Sequence, residues 1–410
     1  MSRFHFHIIW VLMLFLALWT GCATPMSPTY NAGPDGRVLD GEVLALAGEG
    51  GLVAAVTTEG IFLKRNGSPW KELETPGIVK PARVTCLEIN GNEIAIGTDG
   101  EGLHLFSGST WEVRTSRYDG LPDDGVLSIA YDRKGEGFDG TILWVGTRKG
   151  IAARRNGQWE VYRPEKSWLV SIAGQSATAT GRVYLGPGFK LGRKGQDTEL
   201  FRPPVTAIGI ADNGIVLGND DSRIAVINGD AMAIMHLRDG YTVNRLQVDG
   251  PVIWAGTDRG LLWGGLRDRA SGKPWPTHQG YLGWSAYLFG SRDSHQFQYR
   301  WKLLGYNDAP VVDLESRGED LWAAYRAKAV PRNFQREIGD KYDTRERLNQ
   351  VSAIRFFPNV NEYIGRREQS RFETYGPSAG VRGDPTAVYV SPDNQRIWIG
   401  TTSGLWELKR

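Results

Sequence analysis

The sequence predicts an all-β chain folded as a single β-propeller of four-stranded antiparallel blades. Three observations lead there. A short apolar phrase ending in Gly-Thr recurs along most of the chain, turn and tryptophan signals follow several copies, and no segment keeps the period of a helix.

The phrase is clearest at residues 143–151 (Leu-Trp-Val-Gly-Thr-Arg-Lys-Gly-Ile), 253–261 (Ile-Trp-Ala-Gly-Thr-Asp-Arg-Gly-Leu) and 397–405 (Ile-Trp-Ile-Gly-Thr-Thr-Ser-Gly-Leu). Residues 94–103 carry one extra residue, and residues 53–61 lack the first glycine. Weaker copies at residues 183–186, 215–218 and 321–324 bring the anchors to eight. Each phrase reads as two strands and their turn: the apolar residues form a buried strand, the first glycine lets neighbouring backbone come close, and the second permits the turn.

A third turn follows in three copies, at Asn66-Gly67, Ser107-Gly108 and Asn156-Gly157, each with a tryptophan just beyond it (Trp70, Trp111, Trp159) that opens an outer strand. Another strand precedes each phrase, as at residues 126–130 and 205–210. Four short strands at intervals of roughly 40 residues predict propeller blades. Eight blades are expected, with seven as the alternative because the spacing widens from Gly256 to Ala324 to Gly400. The last phrase supplies three strands, and residues 37–39 are expected to add the fourth, joining the N- and C-terminal strands in one blade and leaving no open edge.

The N-terminal residues show a secretory pattern: Arg3, an unbroken apolar run over residues 8–18, then Thr20 and Gly21. The run falls short of the roughly 20 apolar residues that a bilayer requires. Trp19-Thr20-Gly21-Cys22 resembles the lipobox of bacterial lipoproteins, which implies that the signal peptide, residues 1–21, is removed and Cys22 is acylated. Ala23 in place of an aspartate implies an outer membrane lipoprotein, on its periplasmic or its surface face. An ordinary signal peptide cut near Ala23 is the alternative. Residues 22–36, rich in Pro, Gly and small polar residues, read as a flexible tether, and residues 37–410 as the propeller. Beyond Cys22 only Cys86 remains, so no intramolecular disulfide is available and the core must supply the stability. The formal charge of +2 falls to +1 once Arg3 is removed, which gives no global argument for nucleic acid.

The Gly-Thr phrase, with Tyr-Asp-Gly-Leu-Pro-Asp-Asp-Gly-Val at residues 118–126, resembles the repeat of two-component regulator propellers. The Asp-Gly element returns at residues 238–243 and, more loosely, at 380–385. The resemblance covers most of residues 43–410. It implies an exported, periplasmic sensor-type propeller, here as a stand-alone lipoprotein without a kinase. Residues 297–306 faintly resemble the module that follows such propellers in sensor kinases, but more propeller follows them here, so they read instead as an outer blade strand.

Catalytic signatures are sparse. The mature chain has His104, His236, His278 and His295 with no paired metal spacing, no nucleophile elbow and no phosphate loop, so no cofactor, no metal and no catalytic residue is assigned. Thr98, Thr147, Thr257 and Thr401 are expected to make local hydrogen bonds at strand ends, and the acidic, glycine-rich residues 132–140 to form a solvated hairpin loop. Two insertions stand out. Residues 267–296 hold Trp275, Tyr281, Trp284, Tyr287 and Phe289, either a surface for stacking on a sugar or protein, or a small satellite core over adjacent blades. Residues 326–371 hold eleven Lys and Arg, among them Arg332, Arg336, Arg345, Arg347, Arg366 and Arg367, against six acids. That excess suggests a face for an anionic polysaccharide or acidic protein, or else a solvated loop.

The expected function is therefore a non-enzymatic binding or scaffolding module, tethered to the membrane by its lipid, for an envelope protein or anionic polysaccharide and not for nucleic acid. The alternatives are a periplasmic ligand sensor and a propeller glycan lyase or hydrolase. In the last, Asp99, Asp220 and Asp258, read as following inner strands, would approach the ring axis.

Overall fold

The computed structural model describes residues 29–30, 36–75, 77, 79–118, 120–133, 141–162, 203–211, 214–228, 231–236, 241–249, 252–268, 280–289, 310–318, 320–326, 350–355 and 371–410. They are almost entirely strand, in six four-stranded antiparallel sheets and one five-stranded sheet.

Each sheet is led by an inner strand. In chain order these are Val43–Glu49, Val84–Asn90, Val126–Asp132, Ala207–Ala211, Val243–Asp249, Val311–Arg317 and Pro385–Val390. Each inner strand contacts the next, and the last contacts the first, so the sheets stand around one axis. The seventh sheet takes its outer strand from the other end of the propeller: Arg37–Leu39 pairs with Gly404–Lys409, with Arg37 opposite Trp406. Val38, Leu39 and Val43 from the first part of the chain then share a core with Ala387, Tyr389, Trp398 and Leu405 from the last.

Among the described residues there are seven sheets, not the expected eight. Seven of the eight anchors lie on the second strand of a sheet, and the weak copy at residues 183–186 lies outside the described residues. The sheets on either side of it, 126–162 and 207–236, pack directly on one another: Ala130, Ile142 and Trp144 share a core with Val205, Ile208 and Ile215. That contact leaves no place between them for a further blade.

The Gly-Thr phrase has a physical reason at both positions. The glycine is where the next blade docks. A Cβ at Gly218, Gly256 or Gly400 would lie 2.5, 2.7 or 2.6 Å from a methyl of Val243, Val311 or Val43, the valine that opens the following inner strand. Gly97 receives Val126 and Gly146 receives Val205 in the same way. These valines are fully buried, each contributing about 1.5–3 kcal/mol by its removal from water. The threonine closes the turn: the Thr98, Thr147 and Thr257 hydroxyls donate to Gly102, Gly150 and Gly260 carbonyls at 2.7, 3.0 and 2.7 Å. All three threonines are fully buried. A second stitch joins neighbouring inner strands, as Thr85, Thr206 and Asn244 donate to the carbonyls of Val126, Val243 and Val311 at 2.6, 2.6 and 2.9 Å.

Residues read as loop or tether change place. Gly280–Phe289 is the outer strand of the fifth sheet, paired with Gly260–Asp268, so Tyr281, Trp284, Tyr287 and Phe289 of the aromatic insertion belong to a blade strand. Residues 297–306, expected there, lie outside the described residues. Thr29–Tyr30, within the tether, pairs with Trp70 and Lys71 as the fifth strand of the first sheet.

Candidate functional site: the axial cavity

The seven inner strands enclose a cavity of about 560 Å³ on the axis, lined by residues from every sheet. Its chemistry follows from two positions, the third and the fifth counted from Val43, Val84, Val126, Val205, Val243, Val311 and Pro385 in the seven sheets. At the third, sheets one, four and seven carry Ala45, Ala207 and Ala387, but sheets five and six carry Arg245 and Asp313. At the fifth, sheets one, three and four carry Ala47, Ala130 and Gly209, whereas sheets two, five and six carry Glu88, Gln247 and Glu315. Small residues leave the space, and three sheets fill its rim with charge.

The charges form short pairs. Arg245 Nε donates to Asp313 Oδ1 at 3.1 Å, while Asp313 Oδ2 accepts the Val388 N–H at 2.9 Å, so this aspartate also pins the seventh inner strand. Arg317 meets Glu315 at 2.6 Å, donates to the Val390 carbonyl at 2.8 Å and lies over the Tyr389 ring, 5.2 Å from its centroid. Towards the ends of the strands Arg133 meets Glu49 at 2.7 Å and donates to the Ile89 carbonyl at 2.7 Å, drawing sheets one, two and three together. Gly48 makes room for this packing: a Cβ there would collide with the Tyr389 ring.

Burial raises the acids. Glu88 is pushed up to about 7, chiefly by burial, with Asp313 adding to the rise and Arg133 and Arg245 opposing it. Glu315 is pushed up to about 8, again chiefly by burial; Arg317 opposes the rise, and the repulsion of Asp313 and Glu88 adds to it. The Cys86 thiol, also at the cavity wall, is pushed up to about 11 by burial and is therefore a poor nucleophile.

The residues singled out from sequence fall elsewhere. Asp99, Asp220 and Asp258 end second strands, one place out from the axis, and do not line the cavity. Asp99 pairs with Arg148 at 2.6 Å, and Asp258 accepts the Thr242 N–H at 2.9 Å, so both hold turns. Tyr281, Trp284 and Tyr287 lie on the outer strand of the fifth sheet, with Tyr281 opposite Arg267 and Tyr287 opposite Trp263. Cys22, Trp275, Arg332, Arg336, Arg345, Arg347, Arg366 and Arg367 lie outside the described residues. Within the basic segment the strand Gln350–Arg355 is the third of the sixth sheet, paired with Asp320–Tyr325 and Arg371–Tyr375. The axial charges were missed although a signal existed, because aligning the inner strands exposes Arg245, Asp313 and Glu315 as charges in positions that other blades fill with alanine or glycine.

Among the described residues no helix is long and apolar enough to cross a membrane, and no group of three or more His, Cys, Asp or Glu is placed to hold a metal ion. No family model matches the chain, and no curated protein matches it. Solved structures are similar at low identity. The extracellular domain of the one-component system BT4673 from B. thetaiotaomicron aligns at 14% identity and a TM-score of 0.49, over 93% of this chain and 40% of that one. PorZ, a surface component of the type IX secretion system of Porphyromonas gingivalis, aligns at 11% and 0.47, over 93% of this chain and 38% of its own. YCF48 bound to D1 peptide aligns at 11% and 0.49, over 94% and 97%. The chain thus spans about two fifths of the first two proteins.

Proposed function

We propose that this chain is a binding module of the bacterial envelope, an outer membrane lipoprotein anchored through Cys22, whose propeller holds a ligand or partner without transforming it. The observation that supports this reading is the axial cavity: its volume lies in the range of small-molecule sites, and at the third and fifth positions of the inner strands only three of the sheets around it carry charge. A wall shared by all blades for structural reasons would repeat. The partner class is an envelope protein or an anionic polysaccharide, and the insertions at residues 267–296 and 326–371 are the surfaces proposed to extend the contact.

One observation favours a second reading, a glycan lyase or hydrolase. Glu88 and Glu315 are two carboxylates in one cavity, both raised into the range useful for general acid and base work. Incubation with acidic and neutral oligosaccharides, followed by thermal shift and by mass spectrometry of the sugars, separates the two. A raised melting temperature with the sugar recovered intact supports the binding module. New products that vanish in Glu315→Gln, with folding retained, would overturn it in favour of the enzyme.

A further inference from the structure

Within the axial cavity the charges do not balance. Arg133, Arg245 and Arg317 each have a carboxylate of their own in Glu49, Asp313 and Glu315, at 2.7, 3.1 and 2.6 Å. Glu88 is left over. Among the described residues it makes no ion pair; its carboxylate accepts the Ile89 N–H and feels the fields of Arg133 and Arg245, whose own carboxylates are Glu49 and Asp313. Arg133 shares its Nε between Glu49 and Asn90 Oδ1 and donates Nη2 to the Ile89 carbonyl, and Arg245 donates Nη1 to the Asn244 carbonyl.

Neutral hydrogen-bonding groups are spare at the same wall. The Thr386 hydroxyl is buried without a hydrogen-bond partner, and the Gln247 amide has none among the described residues. Leaving the Thr386 hydroxyl unpaired costs on the order of 1–3 kcal/mol, whereas the Glu88 carboxylate and the Gln247 amide line the open cavity, where a ligand can take the place of water. The sign of that ligand follows from the pairing. An anion would meet four acids, Glu49, Glu88, Asp313 and Glu315, against three guanidinium groups that each already hold one of them. A divalent metal ion would require six or more oxygen ligands, roughly, of which Glu88 supplies at most two. An organic cation requires one carboxylate and a few neutral partners, which is the set on the wall.

We propose that the axial cavity binds a small organic monocation, a primary ammonium compound bearing hydrogen-bonding groups, with the Glu88 carboxylate as its counter-ion and Gln247 and Thr386 as neutral partners. The inference rests on the cavity being the ligand site of a binding module, and it names the ligand class.

The test uses three probes of one shape and different charge: 4-aminobutanol, 1,4-butanediol and 4-hydroxybutyrate, titrated calorimetrically at pH 8.5 into the protein without its signal peptide. The expected result is binding of 4-aminobutanol with a Kd in roughly the millimolar range, as befits so few atoms, and at least about tenfold weaker binding of the other two. Glu88→Gln is expected to bring 4-aminobutanol down to the level of the diol while leaving the diol unchanged. In the unmodified protein, added salt is expected to weaken the amine and spare the diol, a readout that does not depend on how the variant folds. Equal binding of all three probes, preference for the anion, or an unchanged amine affinity in Glu88→Gln would overturn the cation assignment while leaving the cavity a ligand site. Absence of binding by any probe would overturn the cation proposal and count against the cavity itself as the site.

Discussion

The joints between blades and the axis they surround are built from the same inner strands under opposite rules. At the joints one pair recurs: Gly97 with Val126, Gly146 with Val205, Gly218 with Val243, Gly256 with Val311 and Gly400 with Val43. At the axis, third and fifth positions range from Ala45 and Ala47 to Asp313 and Glu315. The joint meets one requirement shared by every blade, which cannot hide its apolar face without a neighbour. The axis has no such shared requirement, so its residues differ from blade to blade.

The largest effect is expected where the joint also closes the chain on itself. Trp406 is buried in the core between the sixth and seventh sheets and faces Arg37 across the seam. Trp406→Ala is expected to cost about 3–5 kcal/mol of unfolding free energy in urea, by lost transfer energy and an unfilled cavity. A variant within 1 kcal/mol of the parent on that scale would show that the seam contributes little and would weaken the contrast drawn above.

At an internal joint the effect is smaller and can be compensated. Gly256→Val is expected to cost about 2–3 kcal/mol, because its Cβ would sit 2.7 Å from a Val311 methyl. Adding Val311→Ala opens space opposite and is expected to return part of that loss, a coupling readable in a double-mutant cycle. Independent, additive losses would mean that the two residues do not form one joint.

That contrast also explains what could be read from the sequence. Gly-Thr phrases announce themselves because joints and turns impose the same residues on every blade, and Trp70, Trp111 and Trp159 mark outer strands for the same reason. The weak copy at residues 183–186 misled the count, since a short apolar run with a glycine is not unique to blades. Gly280–Phe289 read as an insertion because its aromatic residues and glycines lack the alternation of a half-buried strand. The cavity charges were harder to see. Each is a single departure such as Arg245, visible only when inner strands are set against one another, and Glu88 stands out only after the neighbouring ion pairs are known.

The smallest effect belongs to the axis and is read through pH. Glu88 and Glu315 have folded values of about 7 and 8 against an ordinary 4.5, so between those limits the folded chain holds protons that the unfolded chain has released. Stability tied to these groups is therefore fully present below about pH 4.5 and is lost as the pH climbs through 7 and 8. With both acids reached by cavity water, the loss between pH 5.5 and 8.5 is expected to be on the order of 1–2 kcal/mol, well below the unscreened value. Glu93 acts in the opposite sense and outside this window. Burial alone would raise it, but hydrogen bonds from Arg154 and Tyr131 hold it below its ordinary value, so its contribution is lost only in acid. Urea unfolding at the two pH values should show the parent weakening with rising pH and the double variant Glu88→Gln, Glu315→Gln nearly flat. Because neither residue supports a joint, the double variant should match or exceed the parent at pH 8.5; a loss there as large as that of Gly256→Val would make the axis structural and dissolve the distinction between the two regions.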